Sequence, residues 1–286
     1  MADANNFEYC LNTSTIRECG LGLEEEIRLA AQAGYQGIEI WDSEIFEYIK
    51  QGGTVNTLKS LLEENQLRVP NVIAFFHWAH PDSSVRAKAL EEALAMAQIA
   101  RSIGCPYIAA PPAGIADRTD LPLKEIAVYY GELLGAFQGS GVLPLLEFWG
   151  HARILRSIHE ALQILSIIQN PEAVLLADVF HMAKTQGSFE LLAELESTRL
   201  ALFHINDYPD VQDISTLADS ERLYPGDGVA PMGSILTKLR QIGYAGMLSL
   251  ELFNKTYQQA GAENVVREGL EKMQAVVAAS LAEQQL

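Results

Sequence analysis

The chain has 286 residues, and 49% of them are hydrophobic, enough to build a large buried core. Twenty Lys and Arg against 37 Asp and Glu leave a formal charge of −17. That balance argues against nucleic acid or an anionic membrane as partner, because both require basic patches, and it is neutral toward a small uncharged polyol. The N-terminal MADANNFEYC has no basic segment followed by an apolar one, so no signal peptide is expected and a cytoplasmic setting is. The apolar stretch 93–116 is interrupted by Gln98, Arg101, Pro106, Pro111 and Pro112, which excludes a membrane span. Cys10, Cys19 and Cys105 are too few and too scattered for a disulfide framework or a zinc ribbon.

In chain order, short apolar segments alternate with amphipathic ones. Phe7–Asn12 is a first strand, and Glu24–Ala33 a helix stopped by Gly34. Gly37–Trp41 is strand two, Val55–Asn65 helix two and Arg68–Phe76 strand three. Ser84–Ile103 is a long helix with Ser83 or Ser84 as N-cap and Gly104 at its C-terminus. Tyr107–Ala110 is strand four, Leu123–Gln138 helix four, Leu143–Glu147 strand five and Ile154–Gln169 helix five. Val174–Asp178 is strand six, Phe189–Leu195 a short helix six and Arg199–His204 strand seven. Met232–Ile242 is helix seven, Met247–Glu251 strand eight, and a closing helix runs from Glu263 to Glu283. Eight such units imply an α/β fold, a single (β/α)8 TIM barrel over residues 1–286, with its active site at the C-terminal ends of the strands. An open doubly wound sheet is the rival, but no G-x-G-x-x-G follows the first strand. The irregular stretch Ile205–Pro231 is long enough to be functional.

Four strands end on residues that can bind a metal: LPLLE at Glu147, VLLAD at Asp178, LALFH at His204 and MLSLE at Glu251. A carboxylate at the end of a buried strand is costly unless something pairs with it. Neighbouring strands lie under about 5 Å apart, so four successive strand ends can converge on one ion. Three carboxylates and one imidazole suit Mn2+, Mg2+, Co2+ or Zn2+. His181, three residues past Asp178, is a second ligand or a donor to a substrate oxygen, and Arg222 in RLYPGDG reaches over the pocket or is an ordinary surface arginine before a turn. Asn12, Glu39 and His77 also stand near strand ends, while Trp41, Phe76, Trp149 and Phe253 either wall the pocket or cap the core. His151 is a weaker candidate for the site.

The stretches LNTST, GYQGIEIW, LLEFWGH, LADVFHM, FHINDYPD, SERLYPGDG and LSLELFN resemble the xylose isomerase-like TIM-barrel family of sugar isomerases and epimerases, and within it the inosose isomerase group. The resemblance implies one divalent ion held by Glu147, Asp178, His204 and Glu251, with His181 and Arg222 on a sugar or cyclitol substrate. Endonuclease IV, in the same superfamily, uses extra histidines for further zinc ions. Here DSERLY precedes PGDG with no D-x-H pair, so those ligands are lacking. The implied activity is isomerisation or epimerisation of a keto-sugar or inosose-type keto-cyclitol through an enediolate, with Glu147 and Glu251 moving the proton. The alternatives are a metal-dependent dehydratase and a non-catalytic barrel that keeps the metal for stability. Apolar helix faces permit a homo-oligomer without requiring one.

Overall fold

The computed structural model describes residues 7–185 and 189–283; Met1–Asn6, on which part of the signal-peptide expectation rests, lie outside them. Eight parallel strands follow one another around a closed barrel: β1 (Glu8–Asn12), β2 (Gly37–Trp41), β3 (Val72–Ile73), β4 (Tyr107–Ala110), β5 (Leu143–Glu147), β6 (Val174–Asp178), β7 (Leu200–Ile205) and β8 (Met247–Leu250). β8 pairs with β1 to close the sheet. The expected barrel is therefore the observed one. Among the described residues no helix is long and apolar enough to cross a membrane.

The strand pattern builds the barrel in layers, because side chains two residues apart point to the same face. Cys10, Leu145, Leu176, Leu202 and Met247 pack with Val174 as a separate apolar cluster. Two residues further along the same strands come Asn12, Glu147, Asp178, His204 and Ser249, so a polar layer lies directly on an apolar one. On β2 the matching pair is Gly37 and Glu39. A Cβ at Gly37 would lie 2.4 Å from Met247 Sδ, so the methionine already fills that position.

Around the strands lie α1 (Leu23–Ala33), α2 (Asp42–Lys50), α3 (Val55–Glu64), α4 (Ser83–Ser102), α5 (Leu123–Phe137), α6 (Ile158–Ile168), α7 (Val179–Ala183), α8 (Met232–Gln241), α9 (Lys255–Gln258) and α10 (Ala262–Glu283). Several boundaries differ from the sequence expectation, each for a local reason. β3 is short because Pro70 has no N–H for the ladder, and only a bridge from Arg68 to Gly37 precedes it. α4 is capped by Asp82, whose Oδ1 accepts from Ser84 N at 2.8 Å, and not by a serine. α6 starts four residues late, at a Ser157 cap. Phe189–Glu194 is a 3-10 turn, whereas α2 and α7 are helices that the apolar periodicity did not reveal. α7 follows Asp178 without a break because the Asp178 carboxylate caps it, Oδ1 accepting from His181 N at 2.9 Å.

Candidate metal and substrate site

Cross-strand register brings the polar layer together. Asp178 lies opposite His204, and His204 opposite Ser249, two residues before Glu251. Ligand atoms of Asp178, His204 and Glu251 fall within 4.8 Å of one another, all buried. Glu147 stands opposite Leu176, two residues short of Asp178, and is not in that group of three. It lines the same cavity, 4% exposed, and its Oε2 has no hydrogen-bond partner among the described residues. Burial, then the nearby Glu251 charge, pushes the Glu147 carboxyl up to about 8.

The imidazole of His204 is oriented from behind. Its Nε2 donates to Glu39 Oε2 at 2.9 Å. Glu39 is fully buried and also accepts from Asn71 Nδ2 at 2.9 Å, Asn12 Nδ2 at 3.3 Å and Ser249 Oγ. With the proton on Nε2 alone, the Nδ1 lone pair faces Glu251 Oε2 at 3.1 Å and Asp178 Oδ2 at 3.6 Å, and no hydrogen bond from the described residues satisfies it. An unsatisfied imidazole nitrogen converging with two carboxylates, backed by a carboxylate on the other ring nitrogen, is the donor set of a divalent-ion site. These residues fit such an ion. In the metal-free cluster burial opposes charge on His204, but the Glu251 and Glu39 carboxylates outweigh it and raise its pKa well above the ordinary histidine value, so the ring then carries a second proton, on Nδ1, whose place a divalent ion would take.

Arg222 is itself 1% exposed and shares the carboxylates. Its Nη1 donates to Asp178 Oδ2 at 2.7 Å and Glu251 Oε2 at 2.8 Å, and its Nε and Nη2 donate to Asp219 Oδ1 at 3.2 and 2.8 Å. Burial works against ionisation of Asp178, yet the guanidinium holds its carboxyl well below the usual range. His181 stands on α7 with Nε2 3.4 Å from Arg222 Nη2 and Nδ1 unpartnered. Burial brings its pKa down to about 4, so it is neutral at pH 7. The loop that carries Arg222 is anchored by Asp207, whose two oxygens accept from the backbone N–H of Tyr208, Gly226, Gly228 and Ala230 at 2.8–3.1 Å.

Above the polar floor is a cavity of about 330 Å3. Trp41, Phe75, Trp149 and Phe253 wall it through edge-to-face contacts, with ring centroids 5.1–6.3 Å apart. Phe75 and not Phe76 takes this role: Phe76 is 7% exposed and packs into the core, its neighbour pointing the other way. His77 lines a different cavity. Of the six residues singled out from sequence, Glu147, His181, Arg222 and Glu251 line the cavity, and Asp178 and His204 lie beneath it in contact with them. Sequence reasoning passed over Asn206, whose Nδ2 donates to Asp178 Oδ2 at 3.0 Å, and Asp219. The available signals were a polar pair directly after LALFHI and an acid three residues before Arg222.

A closed parallel barrel with a buried carboxylate–imidazole cluster at the C-terminal ends of its strands defines a metal-competent (β/α)8 protein. The chain belongs to the Xylose isomerase-like TIM barrel family, whose model matches residues 27–276. It is 26% identical over 275 residues to an inosose isomerase of Bacillus velezensis, covering 94% of this chain and 96% of that one. It is 21% identical over 253 residues to a 3-dehydroshikimate dehydratase of Pseudomonas putida, covering 88% of this chain and 39% of that one. Among solved structures, the IOLI protein with a bound zinc atom superposes with a TM-score of 0.87 at 24% identity, over 96% of this chain and 99% of that one.

Proposed function

We propose that this chain is a divalent-metal-dependent isomerase or epimerase that moves a proton next to the ketone of a keto-cyclitol or keto-sugar through an enediolate. It is an enzyme of the sugar isomerase/epimerase type, with one barrel domain spanning the chain. The observation that carries the metal dependence is the unsatisfied His204 Nδ1 converging with the Asp178 and Glu251 carboxylates beneath the cavity. Those three residues, with Glu147 beside them, would hold a divalent ion, which when bound supplies Lewis-acid polarisation of a carbonyl. The zinc of the IOLI structure and the inosose isomerase relatives support the same reading.

The chain's own groups account for the rest of the chemistry. Glu147 and Glu251 both line the cavity, one to take the proton from the carbon beside the ketone and the other to return it. Neutral His181, with its Nδ1 unpartnered among the described residues, orients a substrate oxygen. Arg222 meets a developing negative charge on oxygen with a donor set already fixed by Asp219. The aromatic wall excludes water and offers an apolar surface to the C–H face of a ring, which favours a closed cyclitol over an extended sugar chain. Cys10, Cys19 and Cys105 are all free thiols, in keeping with a cytoplasmic setting.

The test is deuterium uptake in D2O, followed by NMR, with inosose and then ketohexoses, on Mn2+-loaded and chelated protein. Metal-dependent exchange next to the ketone is expected. Glu147→Gln and Glu251→Gln should each slow it about 10²–10⁴-fold without loss of the fold. Near-normal exchange in either variant removes that residue from proton transfer. The dehydratase relative favours a second outcome, loss of water from the same enediolate, which a product 18 mass units lighter would reveal.

A further inference from the structure

The loop after β5 carries a histidine, His151, at the rim of the cavity. Gly150 is pressed against α7: a Cβ there would lie 2.6 Å from His181 O and 2.7 Å from Lys184 Cβ. Only a glycine permits this approach, and it sets the next residue, His151, beside the site. The loop is folded back on itself by Trp149 N donating to Leu155 O at 3.1 Å and Ala152 N donating to Trp149 O at 2.8 Å. The His151 ring stacks on Trp149 at 5.3 Å and 26°, and meets the His181 ring edge-on at 5.8 Å and 61°. It lines the cavity, yet neither ring nitrogen hydrogen-bonds to a described residue.

We propose that His151 is a substrate-binding residue that reads a hydroxyl of a cyclic polyhydroxy ketone on the side remote from the reacting carbon, and so helps set which polyol the site accepts. The inference rests on the functional reading above. The reacting end is fixed by the floor of Asp178, His204 and Glu251, which leaves the rim to face the far side of a bound ring. Stacking on Trp149 occupies one face of the imidazole, so its polar edge is what remains to meet a ligand. Desolvation lowers the pKa of His151, and a neutral imidazole offers one donor and one acceptor, the same pair a hydroxyl presents.

His151→Phe tests this, because it keeps the stacking and removes the polar edge. Inosose and analogues lacking one ring hydroxyl each are compared on Mn2+-loaded protein by steady-state kinetics and titration calorimetry. The variant should raise KM and Kd for inosose about tenfold, the loss of one hydrogen bond, with kcat within about threefold. For one deoxy analogue, wild type and variant should bind alike. A merely structural histidine would weaken every analogue by the same factor, and that result, or unchanged KM and Kd, overturns the proposal. A wild type that binds inosose while the variant binds it equally well refutes the role of His151 alone. A wild type that neither binds nor turns over any cyclic or open-chain ketose refutes the functional reading, and this inference with it.

Discussion

Glu39→Gln should weaken divalent-ion binding about 10–100-fold, that is by about 1.4–2.7 kcal/mol. Glu39 Oε1 accepts from Asn71, while Oε2 accepts from His204, Asn12 and Ser249. A glutamine keeps the shape and loses the charge. With its carbonyl on the His204 side, its NH2 can be met by Asn71 after that amide turns over, since Asn71 Oδ1 has no other partner among the described residues, but a neutral amide oxygen then replaces the carboxylate that holds the imidazole N–H. With its NH2 on the His204 side, Nε2 must accept, and the imidazole proton moves to Nδ1, the atom that faces Asp178 and Glu251. Either arrangement degrades the ligand set without touching a ligand. Calorimetric titration of chelator-stripped protein with Mn2+ or Zn2+ measures the effect, and melting of the stripped variant checks that the fold survives. Wild-type affinity in a folded Glu39→Gln protein would refute the assignment of Glu39 as the residue that orients His204.

Arg222→Met removes the cation that bridges Asp178 and Glu251. Metal-free protein should lose about 3–5 kcal/mol, as when one partner of a buried pair is deleted, and added Mn2+ should restore more melting temperature than in wild type; an unchanged melt would refute the pairing. Asp207→Ala strips the acceptor from four backbone N–H groups of the Arg222 loop, so activity should fall at least tenfold, and unchanged turnover would sink the anchoring role. Glu26, far from this chemistry, lines an acidic cleft of about 510 Å3 beside α1 and α2. It is 4% exposed, its Oε2 is unpartnered, and burial, with Glu44 nearby, raises its pKa from 4.5 to about 8. Between those values the unfolded chain gives up a proton that the folded chain keeps, so this residue costs stability as pH rises, at most about 1.4 kcal/mol per pH unit. Glu26→Gln should therefore melt increasingly above wild type from pH 5 to 8, with the gap level beyond; parallel curves would refute this.

The barrel was legible because most of its strands are short apolar runs and a parallel sheet demands such runs. The site was legible because Glu147 and Asp178 close two of those runs, His204 stands one residue before the end of a third and Glu251 directly follows a fourth, a place where an unpaired charge is expensive. What escaped notice depends on partners far apart in the chain. Glu39 reads from the sequence as one of several polar residues near a strand end, and only the closed sheet reveals that His204, 165 positions away, is its partner. α7 escaped because its cap is Asp178, a residue already accounted for as a ligand, and five residues are too few to display a helical period. Phe75 and Phe76 could not be told apart, since the shortened β3 leaves no alternation to count from.

The charges at the site bear on the metal more directly than the motif does. Glu39, Glu147, Asp178 and Glu251 are four carboxylates, each at most 5% exposed. His204, even as an imidazolium, and Arg222 supply two positive charges between them. With Glu147 ionised, two negative charges among these buried groups are left without a counter-charge in a setting where each is costly, and in the absence of an ion that cost shows as the rise of the Glu147 carboxyl to about 8. The protein has placed the shortfall on one side: Glu39 is saturated with donors, Asp178 and Glu251 share Arg222, and Glu147 has an oxygen with no partner among the described residues. A divalent ion matches the shortfall in sign and size. The same arithmetic says why Arg222 stands where it does: it holds two carboxylates in position that would otherwise drive each other apart, so the ligands are preorganised before an ion arrives.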